Sequence, residues 1–309
     1  MSTPVPPRGL YVPTVIFYND DDTLDTASIE KHALRMAQGG MAGVVVQGTN
    51  GESVHLDADE RKLAISTTRS VLDKNGYSHI PIVAGTGMMS LKETLEMTRQ
   101  AKEAGAAFSL VIAPHYWAAA MTKPVLMDYF TKLADKSVLP VILYNFPGVT
   151  AGIDLDSDMI IALAQHPNIV GAKFTCGNVG KVHRVARHTT VDKFAPMGGK
   201  SDFLIHGLLA GMTGATCGLC NLFPKVHVDC WTKYESGDMK GARELQDILA
   251  DADSAAGKIG GLAGYKLAVS KYFGYGNGTV RSPLPNVTEA GLKASDDIFG
   301  RLMALEEKL

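Results

Sequence analysis

Short apolar runs rich in β-branched residues recur along the chain, each followed by a longer stretch whose apolar positions return every three to four residues. The runs predict strands over 11–17, 43–47, 82–84, 109–113, 141–144, 170–174, 194–196 and 214–218. The stretches between them predict helices over 26–38, 57–72, 91–104, 123–136, 156–165, 179–188 and 202–210. Asp57 stands three residues ahead of Glu60, the spacing of a capping box. Strands alternating with helices require parallel pairing. Runs that are apolar throughout fit a sheet covered on both faces. An open doubly wound sheet obeys the same alternation, but eight evenly spaced repeats favour closure. The expected fold is α/β, a (β/α)8 TIM barrel.

Beyond about residue 223 the strand signals stop. Helices are expected over 226–234, 239–255, 261–273 and 288–307, with Pro283 and Pro285 interrupting the last pair. The predicted organisation is a barrel over 1–223 and a C-terminal helical segment over 224–309 packed on it. No flexible linker is expected, and no repeat beyond the alternation itself.

Composition narrows the functional classes. The 309 residues are 46% hydrophobic, enough for a large core. A net charge of −2 with no basic block argues against nucleic acid or an anionic membrane as partner. The longest apolar stretches, 41–46 and 138–143, fall far short of the roughly 18 residues a membrane helix needs. The segment 1–9 is Pro-rich, with one Arg and no apolar core, and resembles neither a signal peptide nor a presequence. A cytoplasmic location is the expectation. Cys176, Cys217, Cys220 and Cys230 lack framework spacing, so no disulfides are expected.

A barrel of this kind places its chemistry where the strands end, and three of the predicted ends carry reactive or polar groups. Gly48-Thr49-Asn50-Gly51-Glu52 follows the second strand. Two glycines bracketing small polar residues can aim successive backbone N–H groups at one anion. A tight turn with a local cap explains the same residues. Tyr144-Asn145-Phe146-Pro147 ends the fifth strand. The Tyr144 phenol can exchange a proton in the barrel mouth, or simply pack its ring. Gly171-Ala172-Lys173-Phe174-Thr175 lies in the sixth strand, with Lys173 and Thr175 on one face. Burying an ammonium among apolar neighbours is costly, and desolvation favours the neutral amine that Schiff-base chemistry needs. A stem that snorkels its ammonium to water is the structural alternative.

Other signals are weaker. Gly85-Thr86-Gly87 lacks the full dinucleotide-binding spacing. Cys217-x-x-Cys220 has no second pair, so a reduced structural pair is expected. His55, His115 and His166 lack metal-ligand spacing, and no HExxH or multi-carboxylate cluster is present. A metal-dependent aldolase is therefore disfavoured.

Taken as an ordered set, these strand ends, with Tyr-Val-Pro-Thr at 11–14 and Ala113-Pro114-His115-Tyr116, resemble the dihydrodipicolinate synthase / N-acetylneuraminate lyase superfamily of class I aldolases. The resemblance spans Gly9 to about Gly276. It implies Lys173 as the Schiff-base lysine, Tyr144 as the proton-relaying tyrosine, and Thr49 with Asn50, beside Gly48, as holders of a 2-oxo acid carboxylate. It also implies Tyr116 as a tyrosine that reaches a neighbouring subunit's relay, in a homotetramer built from tight dimers. Thr175, Gly199, Lys200, Ser201 and Gly218 are further candidate substrate contacts. No metal or organic cofactor is implied, and the partners are a small 2-oxo acid and an aldehyde.

Departures from the pattern bear on substrate. Val149 stands where the lysine-biosynthetic branch carries an arginine for a second carboxylate, which argues against dihydrodipicolinate synthesis. The Gly48–Glu52 turn and the stretch Gln165-His166-Pro167-Asn168-Ile169-Val170-Gly171 are similar to 4-hydroxy-2-oxoglutarate aldolases and to fungal 2-keto-3-deoxy-sugar-acid aldolases. Phe174-Thr175-Cys176 departs from the residues usual after the lysine. The expected reaction is cleavage of a 2-keto-3-deoxy hexonate, first 2-keto-3-deoxy-L-galactonate, to pyruvate and L-glyceraldehyde. The alternatives are 4-hydroxy-2-oxoglutarate cleavage, a hydratase-aldolase on an aromatic adduct, and a non-catalytic barrel that senses 2-oxo acids.

Overall fold

The computed structural model describes residues 3–309, so the first two residues of the 1–9 segment lie outside it. Eight parallel strands close into a barrel in chain order: β1 (Gly9–Pro13), β2 (Gly43–Val46), β3 (Ile82–Gly85), β4 (Phe108–Ile112), β5 (Val141–Asn145), β6 (Ile169–Phe174), β7 (Ala195–Gly198) and β8 (Gly214–Thr216), with β8 pairing back to β1. The strands alternate with α1 (Thr26–Gln38), α2 (Ala58–Lys74), α3 (Leu91–Glu103), α4 (Lys123–Lys136), α5 (Ser157–Leu163), α6 (Val179–Arg187), α7 (Leu204–Leu209) and α8 (Pro224–Ser236). The TIM barrel expected from the alternation is the observed fold. No helix among the described residues is long and apolar enough to cross a membrane.

Side-chain parity divides the core in two. Val44, Val46, Ile82, Val111 and Leu143 point outward and pack against the helices. Tyr11, Val45, Val83, Leu110, Ile142 and Met197 point inward and fill the barrel. The capping box predicted for α2 forms: Asp57 accepts from the Asp59 and Glu60 amides, and Glu60 accepts from the Asp57 amide.

Three predicted boundaries need correction. β1 stops at Pro13 rather than 17, because Val15–Tyr18 owes its apolar character to burial under later elements. Phe17 packs edge-on against His32 and Tyr275. α8 follows β8 and completes the eighth β/α unit, so the barrel runs past 223 to Ser236. The helix expected over 288–307 is broken into α11 (Glu289–Leu292), a 3-10 turn and α12 (Asp296–Glu306). Buried Ser295 donates to the Leu292 carbonyl at the break.

The remaining segment is α9 (Met239–Lys258) and α10 (Leu262–Phe273), followed by α11 and α12. Ala242, Gln246, Leu249, Ala252 and Ala256 form the buried stripe of α9. Lys266 lies on α10, fully buried, and donates to Glu52 at 2.6 Å. Glu52 also accepts from the Arg281 amide at 2.9 Å and sits 3.1 Å from His55 Nδ1. Arg281 in turn binds Glu60 and Asp22. Burial pushes the Lys266 ammonium down to about 8 against the pull of Glu52. This network clamps the C-terminal segment onto the loop after β2.

Removing one member of a buried pair strands its partner's charge. Lys266→Met should therefore lose about 3–5 kcal/mol in urea denaturation. Lys271→Met, which breaks an exposed surface pair with Asp296, should leave the urea midpoint nearly unchanged. Equal losses for the two variants would remove the clamp from the account of stability.

Candidate active site

The barrel mouth is built mainly from the ends of β2, β5, β6 and β8. Between Val141–Ile169 and Ile142–Gly171 the pairing of β5 with β6 slips by one residue, leaving Val170 as a bulge. From there Tyr144 pairs with Lys173, and both side chains point inward. Lys173 is 4% exposed. Its Nζ lies 4.3 Å from the centre of the Tyr144 ring. Among the described residues it has no hydrogen-bonded or carboxylate partner. The floor beneath it is Tyr11, Val45, Leu110, Ile142 and Met197.

Tyr144 and Thr49 hydroxyls meet at 3.2 Å, with either able to donate. Thr49 opens a 3-10 turn over Thr49–Gly51. Turn bonds take up the Gly51 and Glu52 amides, which leaves the Thr49 and Asn50 amides ahead of the first bond. Gln47 and Glu52, on either side, hold positive φ values of 60° and 48°. Such backbone is strained for residues with a Cβ and persists only when braced. Gln47 is braced by the Arg61 carbonyl, and Glu52 by Lys266 and Arg281.

Glycine is required at two of the predicted contacts. A Cβ on Gly199 would lie 2.1 Å from Thr175 Oγ1, and one on Gly218 would lie 2.8 Å from Asn50 Nδ2. These close approaches bring Thr175 and Asn50 to the wall of one cavity of about 240 Å³. Lys173, Tyr144, Thr49 and Lys200 share that cavity. Thr175 lines the cavity, and its Oγ1 is buried with no hydrogen-bond partner among the described residues.

A second chamber of about 370 Å³ adjoins it across Thr49, Tyr144 and Leu262. Gly48, Val54, Met89, Ile112, Val149 and Leu284 line this chamber.

Two predicted contacts lie elsewhere within the chain. Ser201 is fully buried, and its hydroxyl bonds His227 Nε2 at 2.9 Å rather than facing the cavity. Tyr116 stands 75% exposed, edge-on to Trp117, outside both cavities.

Cys217 and Cys220, both free thiols, have sulfurs within 4.8 Å of a His227 ring nitrogen. Both His227 nitrogens are engaged, by the Phe223 carbonyl and by Ser201. Burial holds the imidazole down near 4 and raises the Cys220 thiol. An ion there would have to break the Ser201 bond.

The sequence reading missed the contribution of the C-terminal segment. Asp253, Gly257, Leu262 and Tyr265 complete the wall of the lysine cavity. Asp253 Oδ1 accepts from the Ser201 amide at 3.4 Å. Burial and then Asp202 raise its carboxyl to about 6, against the pull of Lys200. A carboxylate on an otherwise amphipathic helix gives no pattern signal. Lys266, inside the apolar run of α10, was the one legible sign that this segment carries buried polar contacts.

A family model for the dihydrodipicolinate synthetase family matches residues 6–299. A protein of Emericella nidulans named "Probable 4-hydroxy-2-oxoglutarate aldolase, mitochondrial" is 41% identical, over 97% of this chain and 96% of its own. The L-threo-3-deoxy-hexylosonate aldolase of Hypocrea jecorina is 39% identical across the full length of both chains. A crystal structure of a dihydrodipicolinate synthase family protein from Coccidioides immitis superposes with a TM-score of 0.90, at 36% identity and full coverage of both. With the barrel, its inward lysine and its tyrosine–threonine pair already in place, these matches agree on one lineage: the chain belongs to the dihydrodipicolinate synthetase family.

Proposed function

We propose that this protein is a class I aldolase that cleaves a 2-keto-3-deoxy hexonate, 2-keto-3-deoxy-L-galactonate first, into pyruvate and L-glyceraldehyde. What carries the assignment is the Lys173 amine, inward-facing, buried, and without a carboxylate partner among the described residues, beside the Tyr144–Thr49 hydroxyl pair. The floor beneath the amine and the phenol ring beside it leave Nζ directed toward the cavity, where a 2-oxo carbonyl can meet it.

The amine adds to the C2 carbonyl, and water leaves to give a protonated imine. The Thr49 and Asn50 amides hold the C1 carboxylate at the start of the 3-10 turn. Tyr144, hydrogen-bonded to Thr49, gives its phenol proton to the departing water and, as the phenolate, then takes the proton from the C4 hydroxyl. The C3–C4 bond breaks, its electrons flow into the imine, and the aldehyde departs. The remaining enamine gains a proton at C3, and hydrolysis returns pyruvate and the lysine. Gly199 lets the β7 end approach Thr175, whose free hydroxyl meets the substrate. The 240 Å³ cavity and its neighbour give room for a six-carbon chain.

A second reading, 4-hydroxy-2-oxoglutarate cleavage to pyruvate and glyoxylate, draws on Lys200, a cation in the same cavity. It is the weaker one because Lys200 already faces Asp202 at 3.7 Å and is 42% exposed.

Tyr116 enters through assembly. An exposed Tyr116–Trp117 pair and a largely apolar chamber on one surface suit a two-fold contact in which each chain fills the other. A homotetramer of such dimers, with Tyr116 reaching the partner's hydroxyl relay, is part of the proposal. So is a cytoplasmic site of action, which suits four free thiols.

Three measurements test this. Borohydride reduction with pyruvate should fix an adduct that peptide mass spectrometry maps to Lys173; Lys173→Ala should lose the adduct and cleavage alike, and turnover within about tenfold of the parent would refute the role. Tyr144→Phe should lower kcat by about 10²–10⁴-fold while the pyruvate adduct still forms; an unchanged rate takes Tyr144 out of the mechanism. Coupled pyruvate assays should give a higher kcat/KM on 2-keto-3-deoxy-L-galactonate than on 4-hydroxy-2-oxoglutarate. The reverse order selects the second reading, and release of pyruvate from neither, with ligand-raised Tm, selects a sensor.

A further inference from the structure

The lysine cavity has two chemically different halves. One is barrel: Lys173, Tyr144, Thr49 and Asn50 surround the place of the 2-oxo acid. The other belongs to α9 and the turn after it, where Asp253 and Gly257 stand one helical turn apart. Asp253 is fixed by the Ser201 amide, which keeps one oxygen committed. A carboxylate retains further acceptor sites on its two oxygens. A Cβ added at Gly257 would meet nothing within 4 Å, so the helix leaves open space beside that carboxylate.

We propose that Asp253 reads the aldehyde half of the substrate, accepting hydrogen bonds from its hydroxyls and repelling an aldehyde that carries a carboxylate, with Gly257 leaving room for the extra carbons. This deepens the sugar-acid reading and rests on it for the natural substrate. Its chemistry is nonetheless specific: an acceptor-only anion in a half-buried wall gains charge-assisted bonds with a polyol. It leaves a second carboxylate facing like charge at close range. Lys200 does not cancel this, since it is shared with Asp202. Such a site distinguishes glyceraldehyde from glyoxylate even though both are small aldehydes.

The groups facing Asp253 are Lys200 and Asp202 from the β7–α7 loop, Tyr265 from α10, and Lys173 across the cavity. With its carboxyl held near 6, the preference should sharpen as pH rises through that value.

The test is condensation of pyruvate with L-glyceraldehyde and, separately, with glyoxylate, in the parent, Asp253→Asn and Gly257→Val. Asp253→Asn should shift the glyceraldehyde-to-glyoxylate ratio of kcat/KM toward glyoxylate by about 10–100-fold, the scale of a lost charge-assisted bond. Borohydride trapping of pyruvate on Lys173 should be unchanged, which separates misfolding from altered choice. The pH dependence of the ratio should flatten in the Asn variant. Gly257→Val should depress glyceraldehyde use while sparing glyoxylate. An unchanged ratio in Asp253→Asn, or one that moves toward glyceraldehyde, overturns the inference. Which aldehyde the parent itself prefers is a separate result: a parent that favours glyoxylate defeats the hexonate reading, while the direction of the Asn shift still judges Asp253.

Discussion

Strand β6 carries one residue more than β5 between its first pairing and its second, and the site depends on that residue. Without the bulge at Val170, Tyr144 would pair with Ala172, and Lys173 would face the helices. Side-chain period in a strand is two, so a slip of one exchanges the two faces entirely. With the bulge, lysine and tyrosine are neighbours on the inward face, and Nζ rests against the phenol ring. Below the amine lie Tyr11, Val45, Leu110, Ile142 and Met197, and the larger cavity adjoins it.

A second constraint operates at the turn after β2. The turn that leaves the Thr49 and Asn50 amides ahead of its first bond lies between two left-handed residues that carry side chains, Gln47 and Glu52. Each costs about 1–3 kcal/mol where nothing supports it. Glu52 is held by a lysine from α10 and a backbone amide at Arg281, both distant in sequence. The C-terminal segment is therefore a brace for the turn after β2, the carboxylate holder in our proposal, and the same segment supplies part of the cavity wall. Stability and site geometry are coupled through one buried ion pair.

Much of this was legible in the residues. Periodicity identified eight strands and the helices between them, because barrel strands are apolar on both faces and their helices are amphipathic. Lys173 stood out because a lysine inside a buried strand needs a reason. The bulge at Val170 was not legible, since nothing in Ile169-Val170-Gly171 distinguishes a bulged strand from a regular one. β1 was read too long because Val15–Tyr18 is buried for tertiary reasons that mimic strand patterning. Ser201 was placed in the cavity by its position beside Gly199, yet its hydroxyl turns inward to His227. Asp253 was invisible because its partners lie far from it in sequence, Lys200 and Ser201 in the β7–α7 loop and Tyr265 on α10.

The cavity's two halves have different origins, and this bears on how its specificity can vary. The lysine, tyrosine and carboxylate turn sit on strands and a braced loop, where a shift of a residue destroys the chemistry. The aldehyde half sits on the flank of α9, outside its buried stripe of Ala242, Gln246, Leu249, Ala252 and Ala256. A substitution at Asp253 or Gly257 changes what meets the leaving aldehyde without disturbing that packing stripe or the parity of β6. Imine formation and bond cleavage can thus remain fixed while the accepted aldehyde changes. Two relatives at nearly equal identity to this chain carry names for different substrates, one a hexylosonate aldolase and one an oxoglutarate aldolase. In the reading proposed above, the choice between a hydroxylated and a carboxylated aldehyde falls to Asp253 and Gly257 on that flank, away from the strands that hold the lysine and the tyrosine.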